Sequence, residues 1–161
     1  MTPRWVFHHI GVAVSALAPA IAVNEQVFGL RLVSGPFEDP LQNVAVCFLS
    51  NRRDEVPLVE LVAPLGERSP IASYLARGVG AYHICYEVDD LAETLSYVRA
   101  RRCIILSGPT PAVAFGGRRI AWVFPPTRQL TEILERPQPA DSFTTGQRSD
   151  FGAGQSTADN G

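Results

Sequence analysis

A chain of 161 residues has room for one domain or two small fused modules with a core of their own. Its apolar fraction of 46% is that of a globular protein, and a formal net charge of −2 gives no sign of nucleic-acid binding. No apolar run reaches the roughly eighteen residues of a membrane span, and the N-terminus lacks a charged-then-apolar leader, so a soluble, cytoplasmic protein without a membrane partner is expected.

Residues 7–14, rich in β-branched side chains, read as a strand after a short extension over 1–6. Ser15 is placed to cap a helix whose apolar positions Leu17, Ile21 and Val27-Phe28 recur at helical spacing, with Gly29 as its stop. Residues 30–34 form a second strand, and 44–49 with 58–62 a hairpin across the polar turn 51–55. The order is β-α-β-β-β over residues 7–64.

Residues 65–80 connect this module to the next, with Ser69-Pro70 opening a short helix through Ala76. The second module, 81–136, repeats the order. A strand over 81–88 precedes a helix to about Arg101, capped by Asp90 with Glu93 in an Asp-x-x-Glu pattern. Strands are expected over 103–106, 119–124 and 130–134, and the Pro- and Gly-containing segment 108–118 reads as a lid or binding loop. Residues 137–161 have too few apolar side chains to offset the ordering entropy and are expected to be disordered, with Phe143 and Phe151 available for docking onto the body.

Cys47, Cys85 and Cys103 are odd in number and sit in apolar runs, which fits reduced, buried thiols better than disulfides. A functional thiol at Cys85, two residues from His83, is the less favoured reading, because such surroundings raise a thiol pKa.

The two modules carry the same pair of chemical residues. His9 opens His-Ile-Gly-Val-Ala-Val and Glu60 follows 51 positions later; His83 opens His-Ile-Cys-Tyr-Glu-Val and Glu132 follows after 49. The offset drifts only from 74 at the histidines, through 73 at Ser34/Ser107, to 72 at the glutamates, as one duplication would leave it. A strand histidine taken singly is most often a hydrogen-bonded structural residue, and a strand glutamate most often faces solvent. Glu60, however, lies among Val59, Leu61 and Val62, and Glu132 between Thr131 and Ile133. Charges in such half-buried strands need a partner, and a divalent cation is a suitable one.

Packed about a pseudo-twofold axis, His9, Glu60, His83 and Glu132 would form a His2Glu2 metal site. That donor set suits a six-coordinate borderline ion such as cobalt, manganese, nickel or zinc, with two positions left for water or a chelating substrate. Such an ion polarises a carbonyl and stabilises an enolate, while a nearby carboxylate moves the proton. His8 is expected to point to the opposite face of its strand, as a bystander. Arg118 and Arg119 read as strand-edge surface arginines, with a phosphate or carboxylate contact as the alternative.

The segments His8-His9-Ile10-Gly11-Val12-Ala13-Val14, Glu60 to Gly66, Ser69-Pro70-Ile71-Ala72, His83-Ile84 with Glu87 to Leu91, and Gly116-Gly117 with Phe124-Pro125 and Glu132 resemble the vicinal oxygen chelate superfamily, and within it the methylmalonyl-CoA epimerases. The resemblance spans about residues 7–136, and the Pro64-to-Ala72 connector is its most specific piece. It implies an α+β fold in which two βαβββ modules form a cupped, open, barrel-like sheet of eight strands around a metal held by His9, Glu60, His83 and Glu132. It further implies a homodimer acting on an acyl-CoA or other acyl thioester, with the α-proton removed on one face and returned on the other, and Glu132 as the better supported base.

Some epimerases place a second glutamate where this chain has Val46, so Glu60 becomes the candidate second base. Pro126 and the Pro111-to-Ala114 stretch also depart from the pattern, which leaves room for a related malonyl-type or carrier-bound thioester. The alternatives are a glyoxalase I-like isomerase and a metal-free small-molecule binder of the same fold; the connector speaks against the first and the four retained ligands against the second.

Overall fold

The computed structural model describes residues 2–54 and 56–137. Strand β1 (Val6–Ala13), helix α1 (Leu17–Phe28) and strands β2 (Arg31–Asp39), β3 (Val44–Ser50) and β4 (Val59–Pro64) form the first half. The short helix α2 (Ala72–Ala76) leads to β5 (Ala81–Val88), α3 (Leu91–Arg99), β6 (Ile104–Pro111), a 3-10 turn (Val113–Phe115), β7 (Arg119–Phe124) and β8 (Thr131–Glu135). All eight strands join one open sheet in the order β2-β3-β4-β1-β5-β8-β7-β6. At its centre β1 and β5 run antiparallel, and each has a parallel partner outside it, β4 beside β1 and β8 beside β5. The duplication read from the sequence is thus visible as a symmetric strand order.

Alternation of side chains divides the sheet into two faces. On one face α1 sets Leu17, Ala20 and Ile21 against Cys47, Leu49 and Leu61, and α3 packs Leu91, Leu95 and Val98 onto Ala121, Val123 and Ile133. Burying the fully covered Leu49, Leu61, Leu91 and Ile133 stabilises the fold by about 1.5–3 kcal/mol each. The other face carries no long helix. It gathers Val44, Val46, Phe48 and Val62 with Ile71 from the connector, and Cys85, Ile120 and Leu134 from the second half.

Local chemistry explains most element ends. Gly29 takes the left-handed conformation at φ 64°, its N–H donates to Glu25 O and that of Leu30 to Asn24 O, closing α1. Asp90 caps α3 as expected, accepting the Glu93 N–H at 2.8 Å. Ser15 does not cap α1: Ala16 holds that position without a side-chain bond. Pro19 stands in the first turn and has no N–H to offer, which leaves a capping oxygen less to satisfy.

The two edge strands run further than their sequence suggests. β2 continues past Ser34 to Asp39 and β6 past Leu106 to Pro111, so part of the expected lid is strand. Both carry Ser-Gly-Pro where the pairing register shifts, and such irregularities let a strand bend and go on with a proline at the sheet edge. The remainder of the lid is the 3-10 turn followed by Gly116 and Gly117, both with positive φ. The expectations for residues 138–161, including Phe143 and Phe151, lie outside the described residues. Among the described residues no helix is long and apolar enough to cross a membrane.

Candidate active site

Strand register brings the two halves' histidines and glutamates to neighbouring rungs. Gly11 pairs with Glu60 on one side and with His83 on the other. One rung along, His9 pairs with Cys85, which pairs with Glu132. All four polar side chains are buried, with the His9 side chain at 0% exposure.

Their atoms converge. His9 Nε2 lies 3.1 Å from His83 Nε2, and Glu60 Oε2 lies 3.3 Å from each of these nitrogens. Glu132 Oε2 is 3.4 Å from His9 Nε2 and 3.6 Å from His83 Nε2. The four donor atoms fall within 4.8 Å of one another.

Such crowding settles the charges. Burial alone disfavours a charged His9, but the Glu60 charge and hydrogen bonds to Glu132 and Glu60 outweigh it and raise its pKa to about 9. His83 is likewise raised, burial again being overcome by its bonds to Glu132 and Glu60. Burial pushes both carboxylates up, yet the adjoining imidazoles hold Glu60 and Glu132 below the usual carboxylate range. In the absence of another cation, protonation of the imidazoles offsets the two carboxylate charges.

A divalent cation fits the same place. Two imidazole nitrogens bound at about 2.1 Å and a right angle to one another stand about 3.0 Å apart, close to the observed separation. Glu132 Oε2 is buried with only these long imidazole contacts to satisfy it, and the free-energy cost of that incomplete pairing is one a metal bond would offset.

In front of the carboxylates opens a cavity of about 510 Å³ whose wall includes both Glu60 and Glu132. Val46, Val62, Ile71, Ala112 and Phe115 make it largely apolar, and Tyr74, Tyr82, Ser107 and Arg68 add polar groups. Gln42 and Trp122, 80 residues apart, close it from opposite halves through a 3.4 Å bond from the Trp122 indole N–H to Gln42 Oε1. Trp122 also packs edge-on against His83 at 4.9 Å. Val46 stands in the wall, where its side chain offers apolar surface and no proton.

Other sequence expectations meet mixed outcomes. His8 does not point to the opposite face: the register slips between Phe7 and His9, and the His8 ring turns to the His9 side, with Nδ1 2.7 Å from His9 Nδ1. A bulge puts two residues opposite one and breaks strict alternation, which a local pattern does not show. Cys85 is fully buried beside Glu132, and burial followed by that carboxylate's charge raises its thiol well above the ordinary value. Arg118 donates to Glu87 at 2.8 Å and Arg119 makes two bonds to Glu135 at 2.6 and 2.7 Å, so these arginines pair within the chain and stand outside the cavity wall. Gly11, Trp122 and Phe115 were not singled out from the sequence. Trp122 could have been found from its register with Glu132 once β7 and β8 were paired.

Comparison with known proteins gives the family. Residues 8–122 match the family model described as Glyoxalase/Bleomycin resistance protein/Dioxygenase superfamily. An ethylmalonyl-CoA/methylmalonyl-CoA epimerase of Cereibacter sphaeroides is 30% identical over 120 residues, 73% of this chain and 87% of that one. The mitochondrial methylmalonyl-CoA epimerase of Bos taurus is 32% identical over 111 residues, 68% of this chain and 61% of that one. A crystal structure of methylmalonyl-CoA epimerase from Mycobacterium tuberculosis shares the fold, with a TM-score of 0.73 at 24% identity over 84% of this chain and 91% of that one. The chain belongs to the glyoxalase/bleomycin resistance protein/dioxygenase superfamily and, within it, is an epimerase of the kind these relatives represent.

Proposed function

We propose that this protein is a metal-dependent epimerase of a 2-methylmalonyl-CoA-like acyl thioester. The observation that carries the reading is the buried His9–Glu60–His83–Glu132 cluster whose two carboxylates face an apolar cavity. His9, Glu60, His83 and Glu132 would hold the divalent cation, and its chemistry there is to polarise a thioester carbonyl and acidify the α-proton.

The side chains supply the rest. Both carboxylates are held in their ionised form, the one that accepts a proton. Glu132 on β8 and Glu60 on β4 flank the central β1–β5 pair from opposite sides and both line the cavity, which supports the reading that each reaches a substrate bound there. Glu132 takes the α-proton from one face, and Glu60, after taking up a proton from solvent, gives one to the other; Glu132 then releases its proton to solvent, a task for which Val46 has no group. The apolar wall around Val46, Val62 and Phe115 excludes water and accommodates the α-substituent. A homodimer belongs to the same reading, by resemblance.

The test is to supply one epimer of 2-methylmalonyl-CoA to the purified protein and follow the appearance of the other by chiral chromatography. Interconversion that stops with a chelator and returns with cobalt, manganese, nickel or zinc is expected. Interconversion unaffected by exhaustive metal removal would overturn the metal-dependent reading, and none with metal bound would overturn the substrate.

A further inference from the structure

The two histidines of the cluster are not held alike. His9 Nδ1, the ring nitrogen turned away from the cluster, meets His8 Nδ1 at 2.7 Å, and this contact is partly buried. His83 Nδ1 has no hydrogen-bond partner, and the residue before it, Tyr82, packs edge-on against the ring at 4.6 Å. The His83 ring is wedged sterically instead, against the backbone of Gly11 and, with the rings nearly perpendicular, against Trp122. The β1–β5 pairing shifts register beside each of them, at His8 on β1 and at Tyr82 on β5, so it is the chemistry of the neighbouring residue that differs: an imidazole nitrogen behind His9, a phenol ring against His83.

We propose that His8 is a positioning residue that orients His9 and sets its tautomer for metal binding; this rests on the reading of His9 as a metal-holding residue. The chemistry follows from how imidazole divides its two nitrogens. A neutral imidazole carries one N–H and one lone pair, and only the lone pair binds a cation. His9 Nε2 points at His83 Nε2 and both glutamates, so it is the nitrogen that must be free of its proton. The proton then resides on Nδ1, where it requires an acceptor, and His8 Nδ1 is at hydrogen-bond distance. His8 is itself held by the rings of Phe115 at 5.6 Å and Phe48 at 6.3 Å, both edge-on. The bulge that breaks strand alternation therefore has a use: it brings a second histidine behind the first. Partners of this kind typically contribute about 10–100-fold to metal affinity.

Zinc titration against a chromophoric chelator tests the proposal on three proteins. His8→Ala is expected to lose about 10–100-fold in zinc affinity, while His8→Asn, whose amide oxygen can take the place of Nδ1 as acceptor, stays within about threefold of the parent. Equal zinc affinity in His8→Ala and the parent would overturn the proposal, as would an equal loss in both variants, which would mark His8 as packing alone. Zinc binding absent from the parent would instead remove the metal reading beneath it. Nitrogen-15 NMR of the zinc-loaded parent needs no variant to fold: a proton on His9 Nδ1 coupled to His8 Nδ1 is expected, and a His9 bound through Nδ1 would contradict it.

Discussion

The His83 imidazole occupies the space that a side chain on Gly11 would fill. The two are register partners across the central strand pair, and a β-carbon built on Gly11 would overlap the ring. Gly11 is thus required by the close approach of a functional side chain, since no turn exists at that position. At the matching place in the second half stands Cys85, which is opposite His9. Cys85 thus meets His9 with a side chain where Gly11 meets His83 with none.

Gly11→Ala is therefore expected to displace His83 and weaken metal binding at least tenfold, with an overpacking cost of about 1–3 kcal/mol. Metal content after dialysis and a thermal melt measure the two effects separately. Full metal content with an unchanged melting temperature would show that the ring has room elsewhere.

The two glutamates should fail differently. Glu132→Gln is expected to retain thioester binding and lose about 10²–10⁴-fold in α-proton exchange. Glu60→Gln is expected to block interconversion while one epimer still exchanges its proton through Glu132. Exchange measured from each epimer separately distinguishes them, and undiminished exchange in Glu132→Gln would remove that residue as a base.

Metal binding should depend on pH with a defined sign. The pKa of His9 is raised to about 9 in the metal-free protein, so its proton competes with a cation for Nε2. Apparent metal affinity is expected to weaken below about pH 9, by about tenfold per pH unit for each proton displaced. For folding without metal the sign is opposite. The stabilisation from holding that proton is fully present below about pH 6.5 and is lost as pH rises through about 9. Chelator competition and urea titration across pH 6–10 check the two trends.

Thiol labelling should be selective. Burial pushes Cys47 up to about 11 and Cys85 well above its ordinary value, whereas Cys103 is only partly buried. At neutral pH a thiol reagent is expected to modify Cys103 first, and peptide mapping identifies the site. Early labelling of Cys85 would revive the functional-thiol reading.

The site was legible where chemistry repeats and obscure where long-range pairing decides. His9 with His83 and Glu60 with Glu132 could be read because each is a polar residue in an apolar strand, at nearly constant offset. Helix stops at Gly29 and starts at Asp90 are local events and were equally readable. The aim of His8 was not, since it depends on Phe7 pairing with Tyr86 while His9 pairs with Cys85, about 75 residues away. The full lengths of β2 and β6 were hidden by Gly and Pro, which mark loops in most settings and here lie in bent edge strands.

The most direct measurement of the central claim is deuterium uptake at the α-carbon of 2-methylmalonyl-CoA in heavy water, by mass spectrometry, with metal-loaded and chelated protein. The account expects one deuterium per molecule from the loaded protein, none above background after chelation, and a strong loss in Glu132→Gln. Equal uptake by the loaded and chelated proteins, or none from a protein with its metal in place, would contradict it.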